Sequence, residues 1–263
     1  MFEYGKKTYI MGILNVTPDS FSDGGSYTNI ESAVKHAKEM IEEGADIIDV
    51  GGESTRPGHK FVSDEEEINR VTPMIKILKN EIHVPISIDT YKSQVAEEAL
   101  KLGVDMVNDV WGLTYDEDMA NVIGKYDASV CIMHNQEGTD YEKDIIESIK
   151  DFLQNSIERA LKAGVKKDKI VLDPGIGFGK TFEQNLEVLR RLNELKTLGY
   201  PILLGTSRKS VLGNIVGCEP KDRVEATVAT TVCGIRDGVD IVRVHDVKEN
   251  LQAAKIADKL YRG

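Results

Sequence analysis

The chain has 263 residues and a formal net charge of −11. This acidic balance disfavours a nucleic-acid-binding surface, so an anionic ligand would need a local cluster of basic side chains. The three cysteines show no CxxC spacing, which favours reduced thiols in the cytoplasm over disulfide bonds or a zinc site. No segment has the pattern of a signal peptide or a membrane span, so we expect a cytoplasmic protein with no membrane or nucleic-acid partner.

Eight short apolar segments recur along the chain, and helical patterns lie between them. The segments are TYIMGILN, ADIIDVG, PISIDT, VDMVND, ASVCIMH, KIVLDPG, PILLGTSRK and VDIVRVH. Their apolar residues are continuous, which is typical of parallel strands covered on both faces. IESAVKHAKEMIEEG and NLEVLRRLNELKTLG are two of the intervening segments with helical spacing. The pattern predicts the α/β class and a (β/α)8 TIM barrel, with residues 1–263 as a single domain.

Each predicted strand ends near a polar residue that could face a ligand. These residues are Asn15, Asp49, Asp89, Asn108, His134, Asp173, Lys209 and His245. In a (β/α)8 barrel the C-terminal ends of the strands meet at one mouth, where the active site lies.

Three of these residues, Asp89, Asn108 and Asp173, form the centre of the predicted site. Burying such side chains costs several kcal/mol unless each has a partner, so three around one mouth indicate a ligand rich in donors. An aminopyrimidinone ring fits, because its N–H groups can donate to a carboxylate and its carbonyl can accept from Lys209 or Asn108.

Two polar loops follow the first two predicted strands. The first, NVTPDSFSDGG, has the hydroxyls, carboxyls and glycine pair of a mobile lid, although an ordinary polar turn that caps the next helix is the alternative. The second, GGESTRPGHKFVS, contains Arg56, which could pair with a carboxylate or a phosphate. Ser63 and Glu66 resemble a capping box, so we interpret the acidic run from Asp64 to Glu67 as the start of a helix.

The segment DPGIGFGKT invites comparison with a phosphate-binding loop, but it matches neither glycine fingerprint. GxxxxGK[ST] would require glycine at Pro174, and GxGxxG would require glycine at Lys180. We expect these glycines to allow a tight turn and close approach of the backbone to a flat ligand beside Phe178.

A basic pair near the end of the chain predicts an anion site. Arg243 and His245 alternate along the last predicted strand, so both should face the barrel mouth. For His245 alone, a structural bond to a backbone carbonyl is the alternative. Its position beside Arg243 and Asn15 favours the anion site.

In this order, MGILNVTPDSFSDGG, GADIIDVGGESTRPG, SIDTYKSQVAEEAL, VNDVWG, IMHNQ, LDPGIGFGK, GTSRKS and VRVHDV resemble the dihydropteroate synthase family, the sulfonamide target of folate biosynthesis. The resemblance implies a transferase that condenses 6-hydroxymethyl-7,8-dihydropterin diphosphate with para-aminobenzoate. The products are 7,8-dihydropteroate and pyrophosphate. It also implies a homodimer, and the small residues of RVEATVATTVCGIRDG could form its interface or simply pack on the barrel.

The resemblance also assigns roles to individual residues. The pterin site would comprise Asp89, Asn108, Val110, Met133, Asp173, Phe178, Gly205 and Lys209. The para-aminobenzoate site would comprise Phe21, Thr55, Arg56, Pro57 and Ser210. Asn15, Arg243 and His245 would bind the diphosphate, and Asn15 would also bind Mg²⁺.

The chemistry of these substrates favours a dissociative mechanism. An aryl amine is a weak nucleophile, and departure of pyrophosphate leaves a methylene cation conjugated with the electron-rich pterin. Asp89, Asp173 and, with the first loop closed, Asp23 could stabilise this cation, and we assign catalytic roles to these three residues and to Lys209. The magnesium ion, with Asn15, Arg243 and His245, would stabilise the leaving group. Closure of the loops over the cation would make substrate addition ordered, with the pterin first.

Two other functions remain as alternatives. A methyltetrahydrofolate-dependent corrinoid methyltransferase would use a similar pterin pocket but would lack SFSDGG and STRPG. A non-catalytic pterin-binding protein should show gaps among the phosphate and lid residues, and this sequence shows none.

Overall fold

The computed structural model describes residues 2–16, 26–54 and 61–263, and of residues 26–29 it describes only the backbone. Within these ranges, eight strands form one parallel sheet. They are β1 (Tyr9–Asn15), β2 (Ile47–Gly51), β3 (Ile86–Asp89), β4 (Met106–Asp109), β5 (Ser129–Met133), β6 (Ile170–Asp173), β7 (Leu203–Leu204) and β8 (Ile241–Val244). All eight predicted strands are present.

Helices separate the strands as predicted. They are α1 (Ser26–Glu43), α2 (Asp64–Glu81), α3 (Ser93–Lys101), α4 (Met119–Lys125), α5 (Ile145–Lys162), α6 (Phe182–Arg190), α7 (Ser210–Val216), α8 (Val224–Arg236) and α9 (Val247–Tyr261). Short 3₁₀ helices occupy Lys167–Lys169, Leu192–Leu198 and Pro220–Asp222. None of the helices in the described ranges is both long enough and apolar enough to cross a bilayer.

The sheet curls into a nearly closed barrel, which confirms the predicted (β/α)8 fold. Its strand order is β6-β5-β4-β3-β2-β1-β8-β7. An isolated parallel bridge between Leu172 and Ile202 joins the two edges, and the Leu172 N–H donates to Pro201 O at 2.9 Å. Pro201 has no N–H to donate, which contributes to the shortness of β7.

One predicted helix is divided in two. The sequence pattern of residues 185–199 predicts a continuous helix, whereas α6 ends at Arg190 and a 3₁₀ helix follows from Leu192. Arg191 between them has φ −118° and ψ 20°, outside the helical region. Its guanidinium binds Asp144, Glu187 and Glu194, and these bonds fix the break.

The side chains of each strand alternate between the barrel interior and the surrounding helices. Toward the N-terminal end of the barrel the interior is apolar and consists of Tyr9, Met11, Ile47, Met106, Cys131, Val171, Leu203 and Ile241. Cys131 is therefore a core residue. Because a strand repeats every two residues, the next inward positions are Asp49, Asn108, Asp173 and Arg243. This alternation changes the interior from apolar to polar toward the mouth.

Candidate functional site

At the polar mouth of the barrel, one guanidinium joins three strands, and an asparagine adds a fourth. Arg243 on β8 donates from Nε to Asp49 Oδ2 and from Nη2 to Asp89 Oδ2, each at 2.6 Å. Asn108 Nδ2 donates to the same Asp49 oxygen at 3.1 Å. Two members of this network are neighbours in the sheet, because Asp89 on β3 is the register partner of Asn108 on β4.

Two oxygens of this network have no partner among the described residues. They are Asp49 Oδ1 and Asp89 Oδ1, and both are buried. Burial raises the pKa of Asp89 to about 7, although the Arg243 charge opposes the rise. A buried carboxylate oxygen without a donor costs free energy, so this wall of the mouth is suited to a ligand that brings N–H groups.

The opposite wall, at the ends of β6 and β7, contains the carboxylate of Asp173 and the ammonium of Lys209. Asp173 Oδ1 accepts from the Gly175 N–H at 2.7 Å, and Lys209 Nζ donates to Ile176 O. A Cβ placed on Gly205 would lie 3.8 Å from Asp173 Oδ2 and 3.9 Å from Lys209 Nζ, so both groups border the space that this glycine leaves. Burial raises the pKa of Asp173, opposed by Lys209, and burial lowers the pKa of Lys209 to about 8, opposed by Asp173.

An apolar slot lies beside these polar walls. Tyr91, Val110 and Met133 form a buried cluster, against which Trp111 and Phe178 pack. Lys209 Nζ lies 4.7 Å from the centroid of the Phe178 ring. The slot therefore contains three of the residues predicted to border a flat ring, namely Val110, Met133 and Phe178.

Lys180 holds the loop from Asp173 to Thr181 by hydrogen bonds to the loop backbone. The sequence did not reveal this role. Lys180 Nζ donates to Gly175 O at 2.9 Å and to Phe178 O at 3.0 Å, and it lies 2.9 Å from His134 Nδ1. Burial lowers the pKa of Lys180 to about 7 and the pKa of His134 to about 3. Lys180 thus supports the loop that carries Phe178, which agrees with our rejection of a phosphate-binding loop.

Gly175 is required in this loop for a steric reason. It has φ +69°, and a Cβ at this position would lie 1.9 Å from His134 O. A side chain is excluded here on both counts. The close packing brings the turn directly over the end of β5.

The predicted phosphate-binding residues lie at the end of the barrel formed by β1 and β8. His245 follows β8, its N–H donates to Ser207 Oγ at 3.1 Å, and its Nδ1 lies 2.9 Å from the same oxygen. Asn15 ends β1, and its Oδ1 and Asp89 Oδ2 would lie 3.7 and 3.8 Å from a Cβ placed on Gly51. Asn15 is therefore next to the Asp89 wall.

Several predicted residues lie outside the part of the chain that the structure describes. They are Phe21, Asp23, Thr55, Arg56 and Pro57. Ser210 is described, and it begins α7 directly after Lys209 with an exposed side chain.

Comparisons with known proteins agree with this geometry. A family model described as "pterin binding enzyme" matches residues 11–245. A dihydropteroate synthase of Clostridium beijerinckii is 58% identical over 99% of this chain and 97% of that protein. The chain belongs to the dihydropteroate synthase family.

Solved structures extend the match to the whole backbone. A Clostridium difficile dihydropteroate synthase, crystallised in the presence of pteroic acid, is 72% identical with a TM-score of 0.99, and the match covers 100% of both chains. A Xanthomonas albilineans dihydropteroate synthase with 4-aminobenzoic acid is 39% identical, has a TM-score of 0.92 and is matched over 97% of this chain and 94% of that one.

Family membership confirms the predicted function. The chain is a transferase that condenses 6-hydroxymethyl-7,8-dihydropterin diphosphate with para-aminobenzoate to give 7,8-dihydropteroate and pyrophosphate. Neither the corrinoid methyltransferase nor the non-catalytic pterin-binding protein is supported.

Proposed function

We propose that the polar mouth and the apolar slot bind the pterin and that the condensation there is dissociative. The observation that carries this proposal is the pair of buried carboxylates, Asp89 and Asp173, on opposite walls beside the slot of Val110, Met133 and Phe178. Asp89, Asn108 and Asp173 would accept or donate at the pterin nitrogens, and Lys209 would donate to its carbonyl. Gly205 would leave space for the ring edge.

In the first step, the bond between the pterin methylene carbon and the diphosphate oxygen breaks, and its electron pair leaves with pyrophosphate. The remaining cation is conjugated with the pterin ring. Ionised Asp89 and Asp173 stabilise this charge in a site with little water, and Asp23 adds a third carboxylate when the first loop closes. The aryl amine then forms the C–N bond and loses a proton to solvent.

The leaving group would be held at the β1 and β8 side of the mouth. Arg243 uses Nε and Nη2 for Asp49 and Asp89, whereas its Nη1 group has no hydrogen bond within the described part of the chain. Nη1 can therefore donate to a phosphate oxygen while Nε keeps its bond to Asp49. His245 and Asn15 complete this set of donors.

The residues at this side fit a magnesium ion that is bound together with the substrate. The described residues contain no group of three His, Cys, Asp or Glu side chains that could hold a metal by themselves. Mg²⁺ prefers oxygen donors and is commonly bound through one or two protein ligands plus substrate phosphates. Asn15 Oδ1 would be such a ligand, and a bound metal would supply charge stabilisation to the departing diphosphate.

The second substrate would enter above the slot. Phe21, Thr55, Arg56, Pro57 and Ser210 are the residues that we propose for para-aminobenzoate, with the Arg56 fork paired to its carboxylate. The Xanthomonas albilineans relative with 4-aminobenzoic acid supports this class of second substrate. Because Asp23 and the aryl site both depend on the first two loops, we expect the pterin to bind before para-aminobenzoate.

Positional isotope exchange tests the dissociative step. Pterin diphosphate labelled with ¹⁸O in the carbon–oxygen bridge is incubated with the enzyme and magnesium, without para-aminobenzoate. Reversible cleavage leaves the label on the α-phosphate of the released pyrophosphate, where rotation makes its three terminal oxygens equivalent, so return to substrate should move label into non-bridging positions. No scrambling, either alone or with an unreactive aryl acid present, in enzyme that forms product once para-aminobenzoate is added, would contradict early departure of pyrophosphate.

We also infer the setting of the enzyme. Cys131, Cys218 and Cys233 are unpaired, which suits the reducing cytoplasm. Exposed apolar residues on α7 and α9, namely Ile215, Val216, Ile256, Leu260 and Tyr261, favour a homodimer through the late helices. The family match over residues 11–245 supports one domain for residues 1–263. Analytical ultracentrifugation would test the dimer.

A further inference from the structure

A single buried ammonium holds both ends of the loop between β2 and α2, residues 52–63, here called the second loop. Lys92 Nζ donates to Glu53 Oε2 at 2.6 Å, to Val62 O at 2.6 Å and to Glu67 Oε2 at 2.7 Å. Glu53 lies near the start of the loop, Val62 near its end, and Glu67 lies on α2. An ammonium has three N–H donors, so Lys92 uses all of them here.

Further contacts tie the same two ends together. The Val62 N–H donates to Glu53 Oε1 at 3.2 Å, and the Tyr91 hydroxyl lies 3.2 Å from both Glu53 carboxylate oxygens. Lys92 Nζ also lies 4.9 Å from the centroid of the Phe61 ring. The start and end of the second loop are thus joined through Glu53 and Lys92.

The acidic run from Asp64 to Glu67 does begin a helix, as predicted, because α2 starts at Asp64 and the Ser63 side chain accepts from the Glu66 N–H at 3.2 Å. Glu67 differs from the rest of the run, since it is only 1% exposed and pairs with Lys92. The spacing of the acidic run could not separate a buried member from its exposed neighbours.

Burying the charged groups of Lys92, Glu53 and Glu67 together costs desolvation free energy. Burial alone would lower the pKa of Lys92, but its hydrogen bonds to Glu53 and Glu67 keep that pKa above the ordinary value. Burial raises the pKa of Glu67 despite the Lys92 charge. A buried ion cluster is often no more stabilising than apolar side chains of the same volume, so its value lies in the geometry that it specifies.

We propose that Lys92 is a positioning residue for the second substrate, because it fixes the two ends of the loop that carries Thr55, Arg56 and Pro57. This inference rests on the proposed function, which assigns those three residues to para-aminobenzoate. Within the described chain Lys92 makes no hydrogen bond to the proposed pterin residues, and it approaches the slot at the Tyr91 ring, whose centroid lies 5.2 Å from Nζ, so its main effect should fall on the aryl acid.

The test compares Lys92→Met with Lys196→Met. Lys196 is a matched control because its Nζ pairs at 2.9 Å with Asp240, another buried carboxylate, at the N-terminal end of the barrel. We expect Lys92→Met to raise KM for para-aminobenzoate at least about tenfold, because small misplacements of binding groups are costly. The dissociation constant of a pterin analogue, measured by calorimetry, should change less than about threefold. Lys196→Met should alter only the denaturation midpoint.

Two further variants keep the result interpretable. If Lys92→Met does not fold, Lys92→Met combined with Glu67→Gln removes one of the two carboxylates that lose the Lys92 ammonium and serves in its place. Lys92→Arg should restore part of the aryl-acid affinity, since it keeps the charge but not the compact ammonium geometry.

Arg56→Ala separates this inference from the proposed function. If Arg56→Ala raises KM for para-aminobenzoate and Lys92→Met does not, Lys92 has no positioning role. If neither variant raises it, the assignment of the second loop to para-aminobenzoate is wrong as well. Equal loss of pterin and aryl-acid affinity in Lys92→Met would also overturn the proposal, because it would indicate a general loss of structure.

Discussion

Buried or half-buried aspartates occur at both ends of this barrel, but they have different partners. At the N-terminal end, Asp46 accepts from the Ile10 N–H at 2.9 Å, and Asp240 accepts from the Ile202 N–H at 3.1 Å. Lysines approach the same carboxylates, Lys7 at Asp46 and Lys196 at Asp240. These aspartates satisfy backbone donors near the strand starts and so contribute to stability.

The aspartates at the mouth are less completely paired. Asp49 and Asp89 share Arg243 and each keeps a buried oxygen without a partner among the described residues. Burial raises the pKa of both Asp89 and Asp173. One residue type thus serves structure at one end and is available to ligands at the other, as expected for a (β/α)8 enzyme. Matched substitutions at the two ends test this contrast.

The largest difference between the two ends of the barrel should appear when Arg243 at the mouth and Arg262 at the N-terminal end are each replaced. Arg243→Ala should weaken binding of pterin diphosphate on the order of a hundredfold, and binding of the unphosphorylated pterin alcohol far less, because the phosphate end loses a direct donor whereas the ring contacts are affected only through Asp89. It should also lower the free energy of unfolding by about 3–5 kcal/mol, since Asp49 and Asp89 lose a buried partner. Calorimetric titration with both ligands and denaturant unfolding measure these effects.

Arg262→Ala is the control at the other end. Arg262 contacts Asp258 at 2.9 Å and Asp240 at 3.5 Å, so its removal should reduce stability without changing either affinity. Equal weakening of both pterin ligands by Arg243→Ala would instead mean that Arg243 supports the ring pocket.

A smaller difference between the two ends is expected when Asp173 at the mouth and Asp240 at the N-terminal end are each replaced by asparagine. In Asp173→Asn the amide oxygen can still accept from the Gly175 N–H, which leaves an NH₂ group where the pterin donors should bind. Pterin affinity should fall by about 1.5–3 kcal/mol, roughly 10- to 100-fold, with the fold intact. Asp240→Asn should reduce stability and leave pterin affinity unchanged. A pterin titration that gives the same constant for Asp173→Asn and the unmodified enzyme would remove Asp173 from the site.

The sequence predicted the fold well because the signal is repeated. Eight apolar runs ended near polar residues, and the two-residue period of strands then brought Asp49, Asn108, Asp173 and Arg243 to one mouth. The resemblance of the loops to a known family named the reaction. These inferences needed only local spacing and the fact that strand ends converge.

Pairings between distant residues could not be read from the sequence. Arg243 contacts Asp49 from 194 positions away, and Lys92 contacts Glu53 from 39 positions away. His134 was one of eight strand-end polar residues that could face a ligand, whereas in the structure Lys180 lies against its ring beneath the loop. Which acidic or basic side chain is turned inward depends on packing between elements, and the sequence spacing does not specify that packing.

The pH dependence of pterin binding should follow Asp89 and Lys209. The folded pKa of Asp89, about 7, lies above the ordinary value of 3.8, so the folded chain binds the extra proton and loses stability as pH rises from about 4 to about 7. Pterin binding needs the ionised carboxylate and should strengthen over this interval, by at most about tenfold per pH unit. Affinity should decline again above about 8 as Lys209 loses its proton.

Calorimetric titration of a pterin analogue across this range checks the bell-shaped profile. Asp89→Asn should remove the acidic limb, and Lys209→Arg should move the basic limb to higher pH. Affinity that stays constant between about pH 5 and about pH 7 would show that Asp89 does not titrate where burial places it.

The smallest difference between the two ends is expected when the hydroxyls of Ser207 at the mouth and Thr8 at the N-terminal end are each removed. Ser207 Oγ accepts from the His245 N–H and lies 2.9 Å from His245 Nδ1, so it orients the imidazole toward the proposed diphosphate site. Ser207→Ala should weaken pterin diphosphate by about 0.5–1.5 kcal/mol, a two- to tenfold effect, and leave pterin alcohol unchanged. Thr8→Val is its counterpart at the N-terminal end, where Thr8 Oγ1 donates to Asp258 at 2.8 Å, and it should affect only stability. If Ser207→Ala lowers stability as Thr8→Val does and changes neither affinity, the hydroxyl at the mouth is structural, and the functional contrast between the two ends does not extend to Ser207.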